Sequence, residues 1–582
     1  MALVWNIGNT TVRNPKRIEK ALKVFLDEGF SGNAKGKIAE KRIHRKLKEA
    51  GVLDFEGESS DWAGRKWRAA FYQLGFISKE NKHNAPDIKE NTNENSLFAE
   101  SERENSRPFE ISESGLRLIH ATGIPEIEEI YTRQFLCYEI PSTLEPNFPQ
   151  GKMKPFVLFL QVLHALHLRN MSGLTKIETG LFLQLFQNHT NELYNTIVEK
   201  ILIYRSDMEE CKSTAQRKKV KEHYLSELNK NYKINPTTVT KDYADTTFRY
   251  FSLSGLFTRE NSTIIIRPNK LHHVQKILEK EPTFLFQSSK DYFRTFYSND
   301  YALPIDDNQF NLHDIQTMVA ALKGSAKELV QEAKNVSIQS DLKELNKVRY
   351  RLIDYHNRER EEDYAARQGE DGAIQETIDY LKTLAGKPFS GKCEIDDRPA
   401  YLEWAVWRSF LAINNITCPV HKTRRFPVDE DFLPRNTAPG GGPDLIFEFE
   451  NYFLVVEVTL TISSRQMAVE SEPVRRHTAR YKIDNIDKDV YCLFVAPEID
   501  SNTAETFRIG VWYDHSEEIF LNIVPFKITE FIVVMETLLT KRFNNEDFKN
   551  LLDRCLIYRN VRAPQWKENI GKEIVRWKKS VT

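Results

Sequence analysis

Between Gly440 and Leu460 the chain reads GGGPDLIFEFENYFLVVEVTL. Two apolar runs of strand length flank a polar pair, Glu450-Asn451, and this pattern predicts a strand, a tight turn and a second strand. The second run, YFLVVEVTL, is almost continuously apolar, as in strands covered on both faces. The flanking sequence supplies the cover. PAYLEWAVWRSFLAI is predicted as a helix opened by Pro399, and SEPVRRHTARYKI as a helix with Pro473 near its first turn. DVYCLFVAPEI is a buried strand, NTAETFRIGVWYDH a helix, EEIFLNIVPF a strand and KITEFIVVMETLLTKRF a long helix. Residues 386–582 are therefore expected to form an α/β domain, a mixed central sheet enclosed by helices.

A chain of 582 residues should hold several domains. With 40% hydrophobic and 28% charged residues, a wholly disordered chain is excluded. No apolar stretch approaches the ~20 residues that span a bilayer, and the start, MALVWNIGNTTVRNPKR, lacks the pattern of a signal peptide. The six cysteines form no CxxC pair, which argues against zinc fingers and a disulfide framework. No membrane partner is expected, and a reducing compartment is.

Net charge is −1, so a uniform basic coat is absent, but the distribution is uneven. Residues 1–75 carry 15 Lys and Arg against 9 Asp and Glu, and residues 211–250 carry 9 against 4. Both excesses fall in helical regions that end in a β-rich turn. In residues 1–150, RIEKALKVFLDEGF, AEKRIHRKLKEAGVL and DWAGRKWRAAFYQLGFIS are predicted as helices. A polar loop over 79–106 follows, then the strand and helix of PFEISESGLRLIHATG. Residues 151–285 repeat the plan: MSGLTKIETGLFLQLFQ has a helix-turn-helix cadence, and DYADTTFRYFSLSGLFTRENSTIIIRP reads as a helix, a turn at Glu260-Asn261 and a strand. Both regions are expected to be winged-helix DNA-recognition subdomains, each placing a helix in the major groove with a hairpin beside it. Arg65 and Lys66 in the first, with Lys241, Arg249, Arg259 and Arg267 in the second, are the expected DNA contacts. Residues 286–385 read as a charged helical linker.

Two motifs carry no chemistry. Gly386 to Cys393 nearly spells a phosphate-binding loop, but Cys393 stands where Ser or Thr must hold magnesium, and no strand precedes it. The run Gly440-Gly441-Gly442 is equally well a flexible entry into a strand. The acids are more telling. Asp444 opens one strand, Glu457 lies within the apolar run of the next, Glu470 precedes a helix, and Glu403 lies upstream in a helix. A carboxylate buried among Leu and Val is costly unless something neutralises it. Two or three carboxylates with oxygen-only ligation suit Mg²⁺, which activates water and stabilises charge on a phosphate. Arg475, Arg476, His477, Arg480 and Lys482 follow, suiting a polyanionic substrate.

Pro443-Asp444, twelve residues, then Glu457-Val458-Thr459 resembles the PD-(D/E)xK nuclease core. More closely, the chain resembles the AlwI family of type IIS restriction endonucleases, which includes strand-specific nicking relatives. The resemblance spans nearly the whole chain through TTVRNPKRI, DTTFRYFSLSGLF, PDLIFEF…VVEVT, ESEPVRRH and YCLFVAPEI. It implies an N-terminal recognition part, a linker and a C-terminal cleavage domain. The implied activity is binding to a short asymmetric duplex site and Mg²⁺-dependent cutting a few base pairs outside it, in a bacterial cytoplasm. By resemblance, Asp444, Glu457 and Glu403 hold the metal, and Glu470 and His477 complete the catalytic set. The usual lysine is replaced by Thr459. The resemblance also assigns recognition to Trp5, Asn9, Thr10, Arg13, Asn14 and Arg17. Arginine can read guanine and asparagine adenine, while the same side chains can instead bond phosphates.

One active site cuts one strand. Double-strand cleavage then needs a transient homodimer or a small catalytic partner subunit; without one, the chain is a nickase or the large subunit of a two-subunit enzyme. Restriction also implies a companion DNA methyltransferase. A reading from another class is a winged-helix regulator with an inert nuclease-like domain. It leaves the retention of four acids unexplained.

Overall fold

A computed structural model describes residues 4–581, apart from residues 13, 35, 54–62, 80–108, 143–147, 150, 191, 261–262, 281–285, 287, 323–325, 387–392, 394, 396 and 516. The predicted loop over 79–106, the turn at Glu260-Asn261 and the segment Gly386 to Cys393 lie largely outside the described residues, and Arg13 lies entirely outside them. The chain divides into two compact units, Met1–Ile353 and Asp354–Thr582. Among the described residues, no helix is long and apolar enough to cross a membrane.

The first unit is mainly helical. Helices Ile18–Asp27, Gly36–Glu49 and Ala63–Gln73 lead to β1 (Ile77–Lys79), which pairs antiparallel with β2 (Phe109–Ile111). Ser112 caps the next helix, Glu113–His120, its hydroxyl accepting from the Gly115 N–H at 3.2 Å. The second region follows a similar order. After the helix Pro155–Leu168 comes β3 (Leu174–Thr175), then helical turns begun by a Thr175–Glu178 capping box. The helix Ala244–Phe251 stops through Gly255, whose φ of 67° suits glycine, and the chain enters the hairpin of β4 (Phe257–Glu260) and β5 (Thr263–Ile266). The three strands lie in the order β3-β5-β4.

These two regions do not have separate cores. One apolar cluster runs from Trp5 to Ile305. Its centre is Phe251, whose ring lies 5.3 Å from Phe135, 4.8 Å from Phe156, 5.2 Å from Phe159 and 6.3 Å from Trp5. Aromatic side chains from both sides of residue 150 thus fill one interior.

The stretch read as a linker is helical, but the division falls within one of its helices, Leu342–Arg367. The contacts on either side of the division explain why. In the first unit, Arg349 bonds Glu129, and the Tyr350 hydroxyl donates to Glu129 Oε2 at 2.7 Å. In the second unit, the helix Asp371–Leu384 buries Ile374, Ile378, Leu381 and Leu384 in the core.

The second unit is built on a mixed sheet. It comprises β6 (Leu445–Glu448), β7 (Tyr452–Val458), β8 (Asp489–Ala496) and β11 (Asn522–Lys527), in the order β11-β8-β7-β6. The expected turn joins β6 and β7 as an antiparallel hairpin, while β7–β8 and β8–β11 are parallel. β8 is buried from Val490 to Ala496, as a covered sheet requires.

Three expectations need correction, the first being EEIFLNIVPF, which is not one strand but divides at Leu521 into Glu517–Phe520 and β11, in different sheets. The helix bearing His477 begins at Ser464, so Pro473 lies inside it and not in its first turn. Proline has no N–H to donate, so the Val469 carbonyl loses its usual partner while the helix continues. NTAETFRIGVWYDH is not one helix. It stops at Ile509, Gly510 takes a φ of 59°, and β9 (Val511–Asp514) follows, paired with β10 (Glu517–Phe520). Two helices absent from the sequence reading, Asn545–Ile557 and Ala563–Ser580, complete the unit.

The N-terminal segment is pinned where Gly8 meets Tyr250. Gly8 has a φ of 74°, and an added Cβ would lie 2.1 Å from Tyr250 Cζ. Gly8→Ala combines a left-handed backbone with overpacking, so it should cost roughly 2–5 kcal/mol. Thermal unfolding of the variant is the check, and an unchanged midpoint would contradict this packing.

Candidate active site

The acids converge because two strands and two helices each deliver one. In the β6–β7 ladder the last pair is Leu445 and Val456, and Asp444 and Glu457 are the residues next beyond it on the two segments. Asp444 Oδ2 accepts from the Val458 N–H at 2.9 Å, which fixes it across the strand gap.

Glu403 arrives from the helix Arg398–Ile413, capped by Asp397 and opened by Pro399. That helix is held on all sides. Trp404 Nε1 donates to the Phe432 carbonyl at 2.6 Å and Trp407 Nε1 to Thr423 Oγ1 at 2.8 Å, while Arg408 Nε donates to Gln368 Oε1 at 2.7 Å. Glu403, only 5% exposed, accepts from the Ala438 N–H at 2.7 Å.

Glu470 and His477 lie on the helix Ser464–Asp484, two turns apart and so on one face. Thr459 stands where the broader nuclease pattern has lysine. Its hydroxyl donates to Glu470 Oε1 at 2.7 Å. His477 Nδ1 lies 2.7 Å from Glu457 Oε1.

Burial dominates the electrostatics. It holds Glu403 and Asp444 well above the usual carboxylate range, with Asp444 adding to the shift at Glu403 and Glu457 to that at Asp444. Burial and then Glu470 push Glu457 up to about 8. Burial also raises Glu470, against the hydroxyls of Thr459 and Thr461. His477 moves the other way, lowered by burial and by Arg476. Both partners of the Glu457–His477 contact therefore favour their neutral forms near pH 7. The proton in this contact lies between Glu457 Oε1 and His477 Nδ1, and the imidazole tautomer sets which of the two donates. Among the described residues Nε2 has no partner, although it is buried.

The donor chemistry fits a hard divalent cation: clustered carboxylate oxygens held above their usual range by burial, each of which a bound positive charge would make more acidic. Among the described residues, no group of three or more His, Cys, Asp or Glu side chains is arranged to hold a metal as it stands. A cation would compete with the Val458 N–H for Asp444 and with His477 and a proton for Glu457.

The cations expected beside the acids are mostly committed. Arg475 donates to the Val511 carbonyl and lies over Trp512, its Cζ 5.8 Å from the ring centroid. Arg476 is exposed and bonds Glu472 at 2.9 Å, and Lys482 Nζ donates to the Phe520 carbonyl at 2.6 Å. The sequence reading missed Arg425, which stands beside Asp444 on its other flank, its N–H donating to the Asp444 carbonyl at 3.3 Å. The signal was the KTRRF run before the acids.

The expected DNA contacts lie in the first unit, and many have internal partners. Trp5 is 1% exposed, its Nε1 donating to the Leu183 carbonyl at 2.8 Å. Asn14 Oδ1 accepts from the Lys16 N–H at 3.1 Å, and Arg17 Nη1 donates to the Val52 carbonyl at 2.9 Å. Arg249 Nε bonds Asp245 at 2.8 Å, and its Nη1 donates to the Val12 carbonyl at 3.2 Å. Arg267 is buried. Asn9, Thr10, Arg65, Lys66 and Arg259 are half-buried, with Lys241 exposed.

Glu457 allows a test of sign. Its folded pKa of about 8 lies above its ordinary 4.5, so the folded state keeps a proton that the unfolded state releases between those values. Stability from this group is lost as pH rises through that window, at about 1.4 kcal/mol per unit. In chelator, Glu457→Gln should therefore raise the unfolding free energy at pH 8 by an amount on the order of a few kcal/mol. The gain should vanish near pH 4.5, and a gain independent of pH would sink the assignment.

The model of a family described as AlwI restriction endonuclease matches residues 72–534 of the chain. No curated protein matches it. Among solved structures, it is similar to the small subunit of the heterodimeric restriction endonuclease R.BspD6I, at 22% identity and a TM-score of 0.28. That match covers 36% of this chain and 100% of the other.

Proposed function

The chain belongs to the AlwI restriction endonuclease family, a nuclease family acting on DNA, and from that premise we propose a type IIS, Mg²⁺-dependent enzyme. It binds a short asymmetric duplex site through the first unit and hydrolyses phosphodiester bonds a few base pairs outside it with the second. The observation that carries this reading is the pair Asp444 and Glu457 at the end of the β6–β7 ladder, Glu457 buried and Asp444 half-buried with its carboxylate held by the Val458 N–H. An apolar sheet has no structural use for two such carboxylates. A phosphodiesterase does.

Asp444, Glu457 and Glu403 would hold the metal. Bound there, Mg²⁺ supplies an activated water and charge stabilisation on the phosphate. The chain's own groups do the rest. Glu470, held by Thr459, stands beside the ligands to orient or accept a proton from the attacking water. His477 fixes Glu457 through Nδ1. The apolar walls of β7 and β8 limit water at the reacting group.

For recognition, the order of helix, short strand, helix and hairpin in residues 155–266 supports the winged-helix reading. Asn9, Thr10, Arg65, Lys66, Lys241 and Arg259 are the side chains we assign to DNA. Trp5, Asn14, Arg17, Arg249 and Arg267 shape the surface from within.

A second reading has its own support. Among the described residues one acid cluster is present per chain, so one chain cuts one strand. Double-strand cleavage would come from a transient second copy or a small catalytic subunit, and nicking from the chain alone. A companion methyltransferase would protect the host's sites.

Asp444→Ala and Glu457→Ala should each reduce Mg²⁺-dependent cleavage of duplex DNA by at least ~10³-fold, since a lost ligand removes several kcal/mol of stabilisation. Specific DNA binding by the variants should survive. Digestion and gel-shift assays on the same preparations check this, and wild-type cutting by either variant would remove the site assignment.

Binding should also weaken by ~10³–10⁵ between 50 and 200 mM salt, if about 6–10 phosphates are contacted. A flat salt titration would leave the basic excess of residues 1–75 and 211–250 as mere solvated surface.

A further inference from the structure

The site lacks a committed cation. Among the described residues, none of Glu403, Asp444, Glu457 and Glu470 forms an ion pair with lysine or arginine, and Thr459 has replaced the strand lysine. Arg475 is spent on Val511 and Trp512, Arg476 on Glu472 and Lys482 on Phe520. Arg425 differs from all three.

Its backbone lies beside Asp444, one step along from the bridge between Arg424 and Leu445. Its guanidinium is anchored at the loop that leads into Asp444. Nη1 donates to the Pro443 carbonyl at 3.2 Å and Nη2 to the Gly440 carbonyl at 3.4 Å. The group lies against Gly442, where an added Cβ would fall 2.6 Å from Nη1 and 2.9 Å from Cζ. The glycine run therefore has a use: it admits a flat cation against the backbone. Two of the five guanidinium N–H groups meet these carbonyls, and the side chain is half-exposed, so further donors remain for a ligand. The charge reaches the site, favouring ionised Glu457 and opposing protonation of His477.

We propose that Arg425 is a catalytic residue of this site, its guanidinium bonding a non-bridging oxygen of the DNA phosphate held at Asp444 and Glu457. The inference rests on the nuclease reading above. A pre-anchored guanidinium suits the task, because its donors are already oriented and it cannot lose its charge. The two carbonyls and Gly442 fix it beside the acids without neutralising it, so the group can serve an anion that arrives from outside.

The test uses the full chain in single-turnover cleavage with Mg²⁺. The substrates are duplexes carrying one uncharged methylphosphonate at successive backbone positions. Arg425→Ala should slow cleavage by ~10²–10³-fold, the usual loss for one transition-state donor, a loss larger than any weakening of DNA binding in chelator. Arg425→Lys should recover part of the rate. At one position the uncharged phosphate should slow the wild type and slow Arg425→Ala no further, a coupling that a purely structural arginine would not show. Gly442→Ala keeps the arginine but displaces its flexible end, and should lose rate in the same way. A wild-type rate for Arg425→Ala or Gly442→Ala, or independent losses at every phosphate position, would overturn the inference. If the wild type cuts and Asp444→Ala does not while Arg425 is indifferent, this inference fails alone. If the wild type and Asp444→Ala behave alike, the nuclease reading fails with it.

Discussion

The second unit depends on one unfavourable proximity, the carboxylates of Asp444 and Glu457 brought together where β6 and β7 end. The β6–β7 register makes it unavoidable, because Leu445 faces Val456 and the two acids are the next residues. A slip of one residue would turn Glu457 to the other face, but it would also turn the whole apolar set of β7. Burial of Leu454, Val455 and Val456 therefore holds the acids together. Each buried aliphatic side chain contributes roughly 1.5–3 kcal/mol, enough in sum to maintain an electrostatic arrangement that would not persist alone.

The surrounding groups temper that arrangement without cancelling it. Backbone N–H groups of Val458 and Ala438, the Thr459 hydroxyl and the His477 imidazole each bond one acid. All are neutral donors or partners. They satisfy lone pairs and leave the charge deficit in place, which keeps the pocket receptive to a cation. A structural ion pair would have filled the same volume and removed that property.

Much of this was legible in the sequence for physical reasons. Period-two and continuous apolar runs marked β6, β7 and β8, and a charged residue inside such a run marked Glu457. Glu403 was harder, since a helix of Trp, Leu and Val gives no sign of which side its one acid faces. The His477 helix was misjudged at its start because proline usually opens a helix, and only the tertiary packing of Gln466, whose amide bonds Thr461 and Glu498, fixes the earlier beginning. Gly510 was a stop signal overlooked within NTAETFRIGVWYDH. Arg425 escaped notice because its role depends on a pairing between distant segments, not on spacing. Trp5 and Arg17, which the family resemblance linked to recognition, are buried, a property that sequence spacing alone does not disclose.

The shared interior around Phe251 has a consequence for engineering. Rings from Trp5, Phe135, Phe156 and Phe159 meet there, so residues on both sides of position 150 solidify together. A chimera that exchanges with a relative only the part before residue 150, or only the part after it, would bring mismatched aromatic shapes into one close-packed space. This core is therefore exchangeable as a single cassette from about residue 4 to residue 305, and not by shuffling halves.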